Sequence, residues 1–314
     1  MKSNPGGEQM RIVYMGTPDF AVNGLEALCE NGYEVVGVFT QPDKPVGRKA
    51  VLTPPPVKAA AVGHGIPVFQ PQSLKNGAGV ELLKPLEPDI IIVTAYGKIL
   101  PPDVLSLPKY GCINIHGSVL PKYRGAAPIQ RCVLNGEKVT GVTSMQMNEG
   151  LDTGDILLCR ETEIGENETS GELFDRLAVL GAQVLIETLK ELENGTLEPV
   201  KQDDSQSTYA SMLDKSMSNM DFSLPAAEVH NRIRGLDPWP VASCVINEKV
   251  LKLFRSFVGD ESSLPVGTAF SCREGLGIVC GDKKTVIVTE VQCEGKKRMK
   301  ACDFLRGFKL DANS

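Results

Sequence analysis

At 314 residues the chain exceeds the usual single domain of about 100–200 residues, and 42% hydrophobic with 23% charged side chains is an ordinary globular balance. No apolar run approaches the roughly 18–20 residues that span a bilayer, so no membrane association is expected. The net charge of −6 is unevenly held: residues 212–314 carry 15 basic and 13 acidic groups, against 18 and 26 in the remainder. A tail at +2 beside a remainder at −8 tolerates phosphate without offering a strong basic surface. Residues 1–10 lack the apolar core of a secretory signal and the arginines of a transit peptide. Nine cysteines, an odd number with no C-x-x-C pair, point to reduced thiols in the cytoplasm and away from a zinc site.

In chain order, residues 11–15 form an apolar run stopped by Gly16-Thr17-Pro18, the pattern of a first buried strand. Phe20, Leu25 and Leu28 recur at helical spacing over 19–31, behind the helix-start residues Thr17, Pro18 and Asp19. A second apolar run at 34–40 completes a right-handed βαβ unit. Its first turn holds one glycine and a proline in place of G-x-G-x-x-G, which argues against a pyrophosphate cradle. That turn is expected to shape a wall of an active site. Pro-rich 42–56 reads as a long loop, basic and hinged at Gly47 over 44–49; a helix at 57–64 and a short strand at 67–69 follow. Residues 89–94, dominated by β-branched side chains, read as a central parallel strand, with further strands at 111–116 and 139–147. A long amphipathic helix over 173–194 ends in Asn194-Gly195. Residues 196–211, rich in Gln, Asp and Ser, read as a linker between domains at 10–195 and 212–314. In the second domain a helix at 226–234 precedes short runs at 242–246, 250–254, 277–279 and 285–291, which suggest a small antiparallel barrel.

The chemistry concentrates at Asn114 and His116. Two residues apart on a strand, they share one face, and Gly117-Ser118 marks that strand's carboxyl end. Ligands in open α/β sheets sit at such ends. Asp152, in Gly150-Leu151-Asp152-Thr153-Gly154, comes 36 residues after His116 and is within reach of a neighbouring-strand return. An amide, an imidazole and a carboxylate suit acyl or formyl transfer without a metal. The amide holds an oxyanion, the imidazole moves a proton, and the carboxylate fixes its tautomer. The other histidines, His64 and His230, read as surface residues. Ser118-Val119-Leu120-Pro121 reads either as a plain turn or as a loop lining a ligand, and its Leu120–Pro121 bond is open to the cis form.

Residues 15–21, 40–48, 95–97, 114–131, 150–155 and Pro238-Trp239-Pro240 together resemble the methionyl-tRNA formyltransferase family, from about residue 10 to about residue 310. The resemblance implies an α/β protein: a Rossmann-like, mostly parallel sheet domain for formyl transfer, then a small OB-like β-barrel that binds tRNA. It implies that 10-formyltetrahydrofolate gives its formyl group to the amino group of methionyl initiator tRNA, with no metal, in a cytoplasmic monomer. Asn114, His116 and Asp152 would be catalytic. Ser118, Val119, Leu120 and Pro121 would line the folate, and main-chain groups of 89–97 would floor its pterin. Arg48 would reach the acceptor end of the tRNA. The family commonly reads Ser-Leu-Leu-Pro where this chain has Ser118-Val119-Leu120-Pro121, a change that keeps the apolar character. A relative that formylates a small amine, such as a purine-pathway glycinamide ribonucleotide or a nucleotide sugar, would share the three residues. A purine-pathway enzyme would usually end near residue 200, and a catalytically inactive tRNA-binding relative would need none of the three.

Overall fold

The computed structural model describes residues 9–47 and 49–310. Two compact units make up the chain: one from the chain up to Arg124 with Gly141–Glu161 and Asp175–Tyr209, the other from Gly125–Thr140, Thr162–Phe174 and the chain from Ala210 onward.

A seven-stranded sheet organises the first unit. Its strands are β1 (Arg11–Gly16), β2 (Glu34–Phe39), β3 (Val68–Phe69), β4 (Ile90–Thr94), β5 (Cys112–His116), β6 (Val139–Gln146) and β7 (Ile156–Glu163). Their spatial order is β7-β6-β5-β4-β1-β2-β3. The pairs β1–β2, β1–β4, β2–β3 and β4–β5 are parallel, and β6 runs antiparallel to β5. Ile12, Val13, Tyr14 and Met15 of β1 and Ile90, Ile91 and Ile92 of β4 are fully buried. A parallel strand covered on both faces needs such a continuous apolar run. The chain walks outward from β1 to β3, then returns to β4 on the other side of β1. The order therefore reverses between β1 and β4, and their carboxyl ends open the crevice where ligands of such sheets bind.

Gly16 ends β1, where an added Cβ would lie 2.7 Å from Ala21 Cβ and 3.2 Å from the Thr94 carbonyl oxygen. Only a residue without a side chain lets helix Asp19–Glu30 leave so close to β4. Thr17 Oγ1 donates to Tyr96 O at 2.9 Å and ties the two strand ends across the reversal. The expected loop at 42–56 contains a hairpin, Lys44–Val46 antiparallel to Val51–Thr53. Its strands are exposed three-residue segments interrupted by Pro45, so no buried face leaves an alternation to read. Arg48 lies outside the described residues.

The second unit carries β8 (Ala242–Ile246), β9 (Lys249–Glu261), β10 (Ala269–Ser271), β11 (Leu276–Val279), β12 (Lys284–Cys293) and β13 (Met299–Lys300). The order is β8-β9-β12-β11-β10 with β13 beside β12, and every pair is antiparallel. Register shifts along β9, between Leu253 and Arg255 and again between Val258 and Glu261, bend the sheet into a half-barrel. Val229, Ile233 and Leu236, from helix Ala226–Gly235 and its C-cap, join Leu251, Leu253, Val286 and Val288 in its core.

His230, expected at the surface, is buried in this unit. Its Nε2 donates to Glu166 O at 3.0 Å and its Nδ1 lies 2.8 Å from Ser256 Oγ. Burial, ahead of the nearby charges, holds its pKa below the ordinary histidine value. His64 is exposed and pairs with Glu26 at 2.7 Å. All nine cysteines are free, and burial pushes the Cys112 and Cys244 thiols up to about 12, where they stay protonated. Among the described residues no helix is long and apolar enough to cross a membrane.

Candidate active site

β5 delivers Asn114 and His116 to one side of the sheet, and the turn after β6 brings Asp152 back to them. Asp152 Oδ1 lies 3.5 Å from Asn114 Nδ2, and its Oδ2 lies 3.8 Å from His116 Nδ1. The first is at the outer limit of a hydrogen bond, and the second is an ion-pair distance only. The His116 and Asp152 side chains are 7% and 13% exposed, so water would screen little of an ion pair formed between them. On its other edge, His116 Nε2 lies 2.9 Å from Tyr123 O. A carbonyl can only accept, so Nε2 carries the proton and Nδ1 is the nitrogen free to gain a second one. That nitrogen faces the Asp152 carboxylate.

The Asp152 turn is tightly built. Asp152 itself has φ +52°, a left-handed conformation that a short polar side chain tolerates. At Gly154 a Cβ would sit 1.6 Å from Gln146 O, and at Gly150 2.1 Å from Thr153 Oγ1. Asn148 Oδ1 accepts from Gly150 N at 3.0 Å and from Thr153 Oγ1 at 2.8 Å, closing the turn from below.

The loop Ser118-Val119-Leu120-Pro121 follows His116 directly and is pinned to β6. Thr143 Oγ1 donates to Ser118 O at 2.7 Å and accepts from Leu120 N at 3.2 Å. Ser118 is buried and its hydroxyl donates to Lys122 O at 2.7 Å, while the Leu120–Pro121 bond is cis. With the Ser118 hydroxyl engaged, the loop offers a ligand its main chain and the half-buried surfaces of Val119 and Pro121. At the end of β4, Ala95 and Gly97 have φ +46° and +79°, and the Tyr96 carbonyl between them is held by Thr17 and by Gln41 Nε2 at 3.0 Å. Among the described residues no three His, Cys, Asp or Glu side chains are grouped to hold a metal ion.

Residues 10–189 match the family model described as formyl transferase, and residues 212–309 match the formyl transferase C-terminal domain. The chain is 50% identical over 310 residues to the methionyl-tRNA formyltransferase of Lachnospira eligens, covering 96% of this chain and 98% of that protein. The chain belongs to the methionyl-tRNA formyltransferase family. The Bacillus subtilis enzyme of that name is 46% identical, with 96% of each chain covered. Among solved structures, an N-formyltransferase from Helicobacter canadensis in complex with folinic acid and dTDP-3-aminofucose superposes with a TM-score of 0.69 at 22% identity, covering 89% of this chain and 99% of that one. HypX from Aquifex aeolicus in complex with tetrahydrofolic acid gives 0.63 at 18% identity, covering 97% of this chain and 49% of the other. These two likenesses are of fold.

Within this formyltransferase family member, four residues around the site carry structural roles that the sequence reading does not assign. Thr143 pins the loop, the Tyr123 carbonyl holds His116, and Gln202 with Arg124 braces the Asp152 turn. Arg124 stands in a conspicuous Tyr-Arg-Gly run. Gln202 has no such mark, because its stretch is polar throughout and lacks periodicity.

Proposed function

We propose that this chain transfers the formyl group of 10-formyltetrahydrofolate to the amino group of methionyl initiator tRNA, with Asn114, His116 and Asp152 as its catalytic residues. The observation that carries the reading is the convergence of these three side chains at the carboxyl end of β5, in a chain of this family. As the amine attacks, it must lose a proton while the formyl oxygen gains charge. Asn114 Nδ2 is the donor for that oxygen, an interaction worth about 3 kcal/mol of barrier in comparable sites. His116 Nδ1 takes the proton and Asp152 stabilises the cation. As the tetrahedral species collapses, the bond from the formyl carbon to N10 breaks and His116 returns the proton to N10 of the departing tetrahydrofolate. Ser118, Val119, Leu120 and Pro121 line the folate, held by Thr143. In this reading residues 10–195 do the chemistry, 212–314 and Arg48 engage the tRNA, and 196–211 joins them, in a cytoplasmic monomer.

Formylation assays with the purified protein, 10-formyltetrahydrofolate, and either methionyl initiator tRNA or small amines test the substrate. Formylation of small amines alone would overturn the tRNA assignment. Asn114→Ala, His116→Ala and Asp152→Ala should each lower kcat by about 10²-fold or more with the fold retained. Near wild-type turnover in His116→Ala would remove it from the mechanism.

A further inference from the structure

We infer that Gln202 is a positioning residue for this reaction, holding through its side-chain amide the turn that presents Asp152 to His116. The inference rests on the reading of Asp152 as the partner of His116. Gln202 is 7% exposed, and its Nε2 donates to Asp152 O at 2.9 Å and to Gly154 O at 2.6 Å. Its Oε1 accepts from Arg124 Nε at 3.1 Å and from Arg124 Nη2 at 2.8 Å. Both amide hydrogens and both oxygen lone pairs are therefore used. Rotating the amide by half a turn would set carbonyl against carbonyl and NH₂ against guanidinium, so the partners dictate its orientation.

Arg124 is itself 9% exposed, and its further partner, Asp204 Oδ1 at 2.7 Å, belongs to a side chain that is 80% exposed. An ion pair so open to water holds little. The neutral amide of Gln202 thus holds the buried end of the guanidinium, and the guanidinium fork aims the amide. The same stretch of chain reaches the histidine. Thr208 Oγ1 accepts from Tyr123 N at 2.8 Å and Thr208 O accepts from Arg124 N at 2.9 Å. Tyr123 O is the acceptor that fixes the His116 ring. Residues 202–208 therefore brace both the carbonyl that orients His116 and the carbonyl of Asp152, whose left-handed backbone needs support from outside the turn.

The test is steady-state kinetics of Gln202→Met, which keeps the length and loses both donors, in wild-type and Asp152→Asn backgrounds. Displacing a catalytic group by a fraction of its hydrogen-bond length costs about 10–10²-fold in turnover. In the wild-type background kcat should fall by that factor, with KM for both substrates within about twofold, as expected when binding is untouched. In the Asp152→Asn background the same substitution should change kcat by less than about twofold, because the group it positions is already disabled. Equal losses in both backgrounds, or no loss in either, would overturn the inference. Should Gln202→Met fail to fold, Arg124→Lys, which keeps the charge and loses the fork, is judged by the same two comparisons. Full activity in Asp152→Asn alone would instead strike the proposed mechanism, so the two failures are told apart.

Discussion

At Gly154 the space for a side chain is occupied by backbone, the Gln146 carbonyl, whereas at Gly150 it is occupied by the tip of the Thr153 side chain. The difference makes a ranked prediction. Gly150→Ala can be absorbed if Thr153 rotates and gives up its bond to Asn148. Gly154→Ala must move either β6 or the turn that carries Asp152, at the roughly 1–3 kcal/mol typical of overpacking. Gly154→Ala should therefore lower both the melting temperature and kcat more than Gly150→Ala does. The reverse order, by calorimetry and kinetics on the two proteins, would refute this account of the turn. Asn114 and His116 were legible in the sequence because an i, i+2 spacing at a strand end places both on one face. The approach of Asp152 to them was legible from its place 36 residues after His116, the length of a neighbouring-strand return. The acceptor that sets the His116 tautomer was not, since the Tyr123 carbonyl is backbone and no residue letter encodes it.

Helix Ser170–Asn194 begins three residues before the expected 173, and the reason is local chemistry. Thr169 and Glu172 form a capping box: Thr169 N donates to Glu172 Oε2 at 3.0 Å and Glu172 N donates to Thr169 Oγ1 at 3.2 Å. The intervening Ser170-Gly171 has weak helix propensity, which hides the start from a periodicity reading. Glu172 also receives both arms of Arg255, at 2.9 and 2.6 Å, and these bonds, ahead of those from Thr169, bring its pKa down to about 2. A carboxylate depressed on folding stabilises the protein above its unfolded value of about 4.3 and loses that contribution as pH falls toward the folded value. With side chains 46% and 35% exposed, water screens the pair, and we expect on the order of 1 kcal/mol or less. Glu172→Gln keeps a capping-box acceptor and removes the charge. Its melting temperature should fall below wild type at pH 7, and the gap should close between about pH 4.5 and pH 2. Curves that stay parallel through that window would exclude the Arg255 contribution. Strands β1 and β4 were readable for the opposite reason: burial on both faces leaves unbroken apolar runs that no local capping disguises.

At the scale of the whole chain, the polypeptide changes unit inside continuous elements: within β6 between Thr140 and Gly141, within β7 between Glu161 and Thr162, and within the long helix between Phe174 and Asp175. A shift in composition marks only the last passage, near 196–211, because a strand or helix that runs through a boundary keeps its own pattern. The segments Gly125–Thr140 and Thr162–Phe174 thus build the second unit although they lie early in sequence. Ala127 belongs to that unit's buried core and Leu134 packs against it, with an added Cβ on Gly235 only 2.8 Å from Leu134 Cδ2. Arg131 Nη2 likewise reaches Met217 Sδ at 3.8 Å. A protein ended at residue 211 therefore keeps helix Pro128–Leu134 and loses the apolar partners it packs on. It should melt at lower temperature than the full chain and bind a hydrophobic dye, as contiguous exposed apolar surface does. Substituting Leu134→Ser in that fragment should reduce dye binding, whereas in the full chain the same change removes partly buried apolar contacts and costs about 1–2 kcal/mol. Folate affinity measured beside formylation then separates two causes of lost activity. Retained affinity with poor formylation of methionyl-tRNA supports the tRNA role proposed for residues 212–314, in which case tRNA binding to the full chain weakens with added salt as phosphate contacts release counterions. Formylation of methionyl-tRNA by the folded fragment at the full chain's rate would remove that role.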